Sequence, residues 1–407
     1  MRILHTSDWH LGKTLEGHDR HDEQVRFCDN LIDLVEENNV DLVLVAGDIY
    51  DSYNPPSSAE SLFYRTIERL AKDGARPVFI IAGNHDNPDR LESVRPLVEG
   101  LGITILGYPR SQATRGKYRG FSIEEAQPCF TKIAIGDQKI NIISLPYPSE
   151  KRLNEAYDQT DDINETQESY TKKVGRIFRD LEKFYRDDEI NIAVSHIFVV
   201  GSAISDSERR IELGGSLLVE KSDLPARSQY TALGHIHKPQ RISKEYRAYY
   251  SGSPIQYSKN ERSSSKSVYL VDLEPGQEPD VNQVLLDNYR PICLFKATSL
   301  DQAMAICEER SGQDIFAYFE IETNDSIDLE SIRKMKKLMK NIIEIKPVLK
   351  GSQDWVKKEM VDISRASIGQ YFVDFYREEN EGRAPRQDLI DLFNKLISRE
   401  DIDHETN

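Results

Sequence analysis

Over residues 1–275, short apolar runs of strand character alternate with stretches of helical periodicity. The runs RILHTS, DLVLVAG, PVFIIAG, INIIS, NIAVS, YTALG and SVYLVDL are bounded by polar or turn-forming residues. Between the first two, Val25, Cys28, Ile32 and Val35 recur at helical spacing before EENN ends the helix. PPSSAESLFYRTIERLAKDG predicts a second helix, opened by Pro and Ser and closed by Gly74. Strand–helix–strand order implies a largely parallel sheet with right-handed crossovers. Later strands follow more closely, which predicts a second sheet packed on the first. DLEPGQEPDVNQ breaks the pattern with Pro, Gly and charge and reads as a linker. Beyond it, residues 288–350 carry strand ICLFKA, helix LDQAMAICEER, strand IFAYFEIE, helix LESIRKMKKLM and strand IIEIKPVL, a small α+β module. Two amphipathic helices follow in 362–400, with apolar faces Ile368, Tyr371, Phe372, Phe375, Tyr376 and Leu389, Leu392, Phe393, Leu396, Ile397.

The chain of 407 residues is long enough for two or three domains. No run approaches the length of a membrane span, and MRILHTSDWH is too polar for a signal peptide, so a cytoplasmic protein is expected. Cys28, Cys129, Cys293 and Cys307 lie far apart without CxxC spacing and read as reduced, packed residues. The net charge of −16 argues against a surface coated in nucleic acid. It leaves room for a local basic patch. PRSQATRGKYRG, with Arg110, Arg115, Lys117 and Arg119, offers one, although it reads first as a solvated hairpin.

The chemistry gathers at strand ends. Asp8 and His10 stand in SDWHLG, Asp48 in AGDIYD, and Asn84, His85 and Asp86 in AGNHD. His196 follows in AVSHIF, then His235 and His237 in GHIH. Each cluster directly succeeds an apolar strand, and the carboxyl ends of strands are where open α/β sheets bind ligands. A lone histidine there more often satisfies a backbone group, and the GHIH pair alone could be a solvated loop. Five such strand ends in one chain favour a shared site. Imidazole, carboxylate and amide oxygen suit Mn²⁺, Fe²⁺ or Zn²⁺ better than Mg²⁺. The candidate ligands are too many for one ion, whereas two ions sharing a carboxylate fit the count and serve displacement at phosphorus. Glycines before Asp48, Asn84 and His235 permit sharp turns and close backbone approach.

DWH, GDIYD, GNHD, SH and GHIH together resemble the calcineurin-like metallophosphoesterase family. The resemblance implies a two-sheet α/β/β/α sandwich with a small α+β capping domain and a C-terminal helix pair. Within the family, HTSDWHLGKTLEGHDRHDEQ, GDIYDSYNPP, SDSER and SGSPIQYS are similar to the nuclease subunits of bacterial DNA double-strand-break repair complexes. It implies that Asp8, His10, Asp48 and His237 hold one metal, most simply Mn²⁺. Asp48 then bridges to a second metal held also by Asn84, His196 and His235. His85 corresponds to the histidine that supports the transition state and leaving oxygen, with Asp86 orienting its ring. The implied partners are a long coiled-coil ATPase docking on 362–400, a second copy of the chain in a heterotetramer, and DNA. The implied activities are ATP-dependent exonuclease action on double-stranded ends and endonuclease action on single strands and hairpins, in a cytoplasmic, nucleoid-associated protein. One position departs: Asp51 stands where archaeal and eukaryotic relatives carry a histidine, so a DNA or phosphate role is not carried over to it. His5, His18, His21 and His404 fit no motif. A small-molecule or cyclic-nucleotide phosphodiesterase on the same fold competes with this reading, as does, more weakly, a non-catalytic adaptor.

Overall fold

The strand Arg2–Thr6 shows how the layers are made. Alternate side chains of a strand face opposite ways. Leu4 joins a core with Phe27, Leu31 and Val35 of helix His21–Glu37 and Phe63 and Ile67 of helix Ser57–Ala71. Ile3 faces the other way, into a second core with Ile142, Ile192 and Ala232. In the strand Leu42–Ala46, Val43 and Val45 repeat the first pattern and Leu42 and Leu44 the second. With both faces covered, such strands read as continuous apolar runs rather than alternating ones.

The structure is a computed structural model and describes residues 1–157, 170–203, 218–324, 326–348, 385–387 and 389. One sheet has six strands in the order Asp280–Leu285, Ser267–Asp272, Arg2–Thr6, Leu42–Ala46, Val78–Ile81, Ile103–Leu106. Its last four strands run parallel, and Ser267–Asp272 pairs antiparallel with Arg2–Thr6. The second sheet has eight strands, with Gln138–Leu145, Ile190–His196, Tyr230–Gly234 and Tyr246–Tyr250 parallel at its centre. Helix Tyr170–Leu181 covers its outer face through Val174, Ile177 and Phe178. The result is the expected α/β/β/α sandwich.

The strand ends matter most. Asp8, Asp48 and Asn84 follow the carboxyl ends of parallel strands in the first sheet, and His196 and His235 occupy that position in the second. Gly234 is in register with His196, so His235 follows one residue beyond it, and the two rings meet edge-on with centroids 5.2 Å apart.

The expected linker is a correction. DLEPGQEPDVNQ is a hairpin, and Ser267–Asp272 pairs with Asp280–Leu285 in full register from Asp272 opposite Asp280 to Ser267 opposite Leu285. The second strand lies at the sheet edge, and the exposure of Asp280, Asn282 and Gln283 there hides its strand character. The module beyond holds three strands in sequence order, Ile292–Ala297, Phe316–Glu322 and Ile342–Val348, with helices Leu300–Glu309 and Leu329–Leu338, as predicted. Residues 1–321 and 327–346 form one compact unit. SDSER and, apart from Leu389, the apolar positions of the two C-terminal helices lie outside the described residues. Among the described residues, no helix is long and apolar enough to cross a membrane.

Candidate metal centre

Backbone shape comes first. Asp8 (φ 53°), His10 (φ 44°), Asp48 (φ 51°) and His235 (φ 107°) all adopt positive φ, which side-chain-bearing residues rarely do. Tertiary bonds hold them there. The amide of Asp8 donates to the Gly47 carbonyl and that of His10 to the Asp48 carbonyl, both at 3.0 Å, and the His235 amide donates to Asp8 Oδ1 at 3.0 Å. Such strain of about 1–3 kcal/mol per residue persists where the surroundings over-determine it, and it concentrates at functional sites. Two glycines are needed for packing rather than for φ. A Cβ on Gly83 would lie 2.1 Å from Asp48 Oδ1, and one on Gly234 would lie 1.8 Å from the Ala46 carbonyl oxygen.

The expected ligands converge. Asp48 Oδ2 lies 3.6 Å from His10 Nε2 and 3.5 Å from His196 Nε2, between two groups of donors. On one side His10 Nε2 and His237 Nε2 stand 3.0 Å apart. On the other, Asn84 Oδ1 lies 2.9 Å from His196 Nε2 and 3.0 Å from His235 Nδ1. Asp8, His10 and His237 could hold one cation, and Asp8, Asp48 and His196 another.

The donor chemistry fits bound cations. His196 Nδ1 lies 2.8 Å from the Ala46 carbonyl, which can only accept, so in a neutral ring Nε2 carries a lone pair. That lone pair faces the Asn84 oxygen, another acceptor, an arrangement that a proton or a metal ion between them would satisfy. His10 Nδ1 is buried without a hydrogen-bond partner, although its ring is almost inaccessible to water. Burial opposes charge on His196, but Asp48 outweighs it and pushes the imidazole up to about 9. Burial likewise opposes ionisation of Asp48, yet His196 and His85 hold its carboxyl well below the usual range. Beside Asp48 the pocket thus favours positive charge at His196, whereas burial holds the neighbouring His10 imidazole well below its ordinary value.

His85 stands beside this set. Its Nε2 is 4.0 Å from Asp48 Oδ2, its ring packs edge-on against His10 with centroids 4.7 Å apart, and its amide donates to Asp48 Oδ1 at 2.9 Å. Its Nδ1 lies 2.7 Å from the Asp51 carbonyl. Asp86 differs from its expected part. Its carboxylate accepts from the amides of Gly83 (2.8 Å), Tyr50 (3.0 Å) and Ile49 (3.2 Å), while the carbonyl of Asp51 takes the orienting position on the His85 ring. Burial, aided by Asp48, pushes the Asp86 carboxyl up to about 6. Asp51, the departure from the family pattern, turns its carboxylate to Lys13 Nζ at 2.6 Å and lies 3.6 Å from His10 Nδ1. His5 is a core residue between the Tyr230 hydroxyl (2.8 Å) and the Leu233 carbonyl (3.2 Å).

Sequence reasoning missed Glu261 and Tyr257. Buried Glu261 pairs with Lys266 and places Oε1 3.7 Å from His237 Nδ1. Burial opposes its charge, but Lys266 and His237 hold the carboxyl well below its ordinary value. Tyr257 donates its hydroxyl to the Trp9 carbonyl and sets its ring edge-on to His10 at 5.5 Å. Both lie in a polar stretch, SGSPIQYSKNERSSSK, without strand or helix periodicity to mark them as buried.

The family model of calcineurin-like phosphoesterases matches residues 1–239. The SbcD subunit of the SbcCD nuclease from Bacillus subtilis (strain 168) is 38% identical over 400 residues, 98% of each chain. Two solved structures are distant: the Thermus thermophilus protein TT1561 (11% identity, TM-score 0.35) and a dimetal phosphatase from Danio rerio (10% identity, TM-score 0.37). Each covers 69% of this chain and 98% of its own.

Proposed function

From the premise that this chain belongs to the calcineurin-like phosphoesterase family, we propose that it is the nuclease subunit of an SbcCD-type complex. It is a metal-dependent phosphodiesterase that cuts DNA. The observation that carries this reading is full-length similarity, at 38% identity, to a relative named as such a nuclease subunit. The converged donor set supports it.

In this reading Asp8, His10, Asp48 and His237 hold one divalent ion, and Asp48, Asn84, His196 and His235 the other, with Mn²⁺ in both places. Bound there, the ions supply Lewis acidity toward a phosphodiester. His85 Nδ1 donates to the Asp51 carbonyl, which assigns Nε2 to proton exchange with the leaving oxygen. Asp86 is a positioning residue that ties the turn of Asn84 and His85 to the amides after Asp48. The module at 288–350 seats DNA. The segment 362–400 docks on an SbcC-type ATPase with a long coiled coil, and a second copy completes a heterotetramer acting at the nucleoid. ATP gates attack on double-stranded ends, and single strands and hairpins are cut endonucleolytically, in repair and recombination.

Incubation of labelled linear, hairpin and single-stranded DNA with purified protein and Mn²⁺, with and without the ATPase, tests the proposal. Nicking of single strands by the protein alone, and ATP-stimulated degradation of duplex ends with the partner, is the expected result. Absence of DNA cleavage under both conditions would overturn it. Truncation after Gly351 should leave single-strand nicking and abolish co-purification with the ATPase.

A further inference from the structure

Four basic side chains are buried among the described residues: Arg20, Arg76, Arg152 and Lys266. Three of them sit on a carboxylate. Arg20 pairs with Glu23, Arg76 with Glu36 and Lys266 with Glu261. Among the described residues, Arg152 has no acid within ion-pair distance. Its Nη1 reaches the carbonyls of Gly83 and Tyr147, each at 3.3 Å, and its Nη2 reaches the Asp86 carbonyl at 3.3 Å and the Tyr53 hydroxyl at 3.5 Å. The guanidinium also lies over the Tyr147 ring, 5.5 Å from its centroid. All four hydrogen bonds are at the long end of the useful range. Buried charges are ordinarily paired with an opposite charge, because desolvation is costly.

The location of this unneutralised cation is informative. Gly83 and Asp86 bracket Asn84 and His85, so Arg152 grips both ends of the turn that carries a ligand and the proposed proton carrier. The Tyr147 ring meets His196 edge-on at 6.1 Å. Tyr53 is 47% exposed, three residues beyond the loop position Tyr50 held by Asp86, and links the guanidinium to the open rim. A planar guanidinium with a tyrosine hydroxyl beside it is a donor set suited to phosphate oxygens.

We propose that Arg152 and Tyr53 form a subsite for a second phosphate of the nucleic-acid strand, adjacent to the one being cut. This rests on the nuclease reading above and extends it: the missing anion of Arg152 is supplied by the substrate. A strand with phosphates on either side of the scissile bond is then preferred over a diester standing alone.

The test compares a single-stranded oligonucleotide with bis(4-nitrophenyl) phosphate, which has no neighbouring phosphate, using the full chain with Mn²⁺ over a series of salt concentrations. In Arg152→Gln the ratio of kcat/KM for oligonucleotide over diester should fall roughly tenfold, the worth of one charge-assisted hydrogen bond, mainly through KM. The slope of log kcat/KM against log salt for the oligonucleotide should become shallower by about 0.7, one single-strand phosphate contact. Arg152→Lys should recover the slope and part of the ratio. Tyr53→Phe, which touches only the rim hydroxyl, should lower the ratio by a smaller factor with the slope retained. Equal proportional loss on both substrates with an unchanged slope would reduce Arg152 to a brace of the turn and overturn the proposal. Should Arg152→Gln fail to fold, an unaltered ratio in Tyr53→Phe and Arg152→Lys would overturn it equally. A wild type that hydrolyses the diester but cuts no oligonucleotide would sink the nuclease reading instead. The subsite would then stand or fall on whether Arg152→Gln weakens inhibition of diester hydrolysis by the oligonucleotide.

Discussion

On one side of Asp48, His10 and His237 face each other through Nε2, and an anion stands behind each ring: Asp51 at 3.6 Å from His10 Nδ1 and Glu261 at 3.7 Å from His237 Nδ1. On the other side, His196 is backed by the uncharged carbonyl of Ala46 and shares Asn84 with His235. A carboxylate behind an imidazole raises its basicity and its grip on a metal, whereas a carbonyl fixes the tautomer with less charge. Affinity in the first half therefore depends on side chains outside the ligand set. In the second half the ring of His196 is backed by the strand Leu42–Ala46 itself. Substitution of a carboxylate behind a ring can thus tune the first half without touching the backing of His196.

The largest effect should come from Asp48, the residue that the proposed assignment places in both halves. Asp48→Asn should empty both positions and abolish cleavage, whereas His10→Ala should disturb chiefly the first. Metal content by mass spectrometry decides this, and two ions retained in Asp48→Asn would refute the shared assignment. His85→Gln should keep both ions and DNA affinity while losing roughly a hundredfold or more in turnover. Loss of metal in that variant would make His85 a ligand. Glu261→Gln should weaken binding in the first half alone by about 10–100-fold, separating the two steps of a calorimetric Mn²⁺ titration. Equal weakening of both steps would erase the distinction between the halves. Smallest of all, Tyr257→Phe removes the hydroxyl bond to the Trp9 carbonyl and should lower unfolding free energy by about 1 kcal/mol, read by denaturant melts, with the second half unchanged.

The sandwich was legible because its central strands are covered on both faces. Runs such as DLVLVAG have no other stable place. The ligand motifs were legible because each follows such a run directly. Edge structure was not. Asp280–Leu285 is a polar strand at the rim of its sheet, and Ser122–Gln127 is mostly half-exposed and irregular in its pairing after Ile123, so neither shows clean alternation. Supporting groups were hidden for a different reason. Glu261 and Arg152 are charged residues in polar surroundings of sequence, and only tertiary contact shows that one is neutralised and the other is not. Asp86 shows the same limit: the family resemblance implied that it orients the His85 ring, whereas three amides from two strand ends claim its carboxylate.

The antiparallel pairing of Arg2–Thr6 with Ser267–Asp272, reinforced where the Leu273 amide donates to the Met1 carbonyl at 2.8 Å, has a consequence in time. Arg2–Thr6 leaves the ribosome long before Ser267–Asp272, the neighbour that closes its free edge, has been made. At about 5–20 residues per second, that wait is on the order of tens of seconds. Through it, Asp8 and His10 hang from a strand with one open edge, even after His237, the last of the expected ligands along the chain, has been made. The order of synthesis thereby places closure of that edge after every expected ligand has been made.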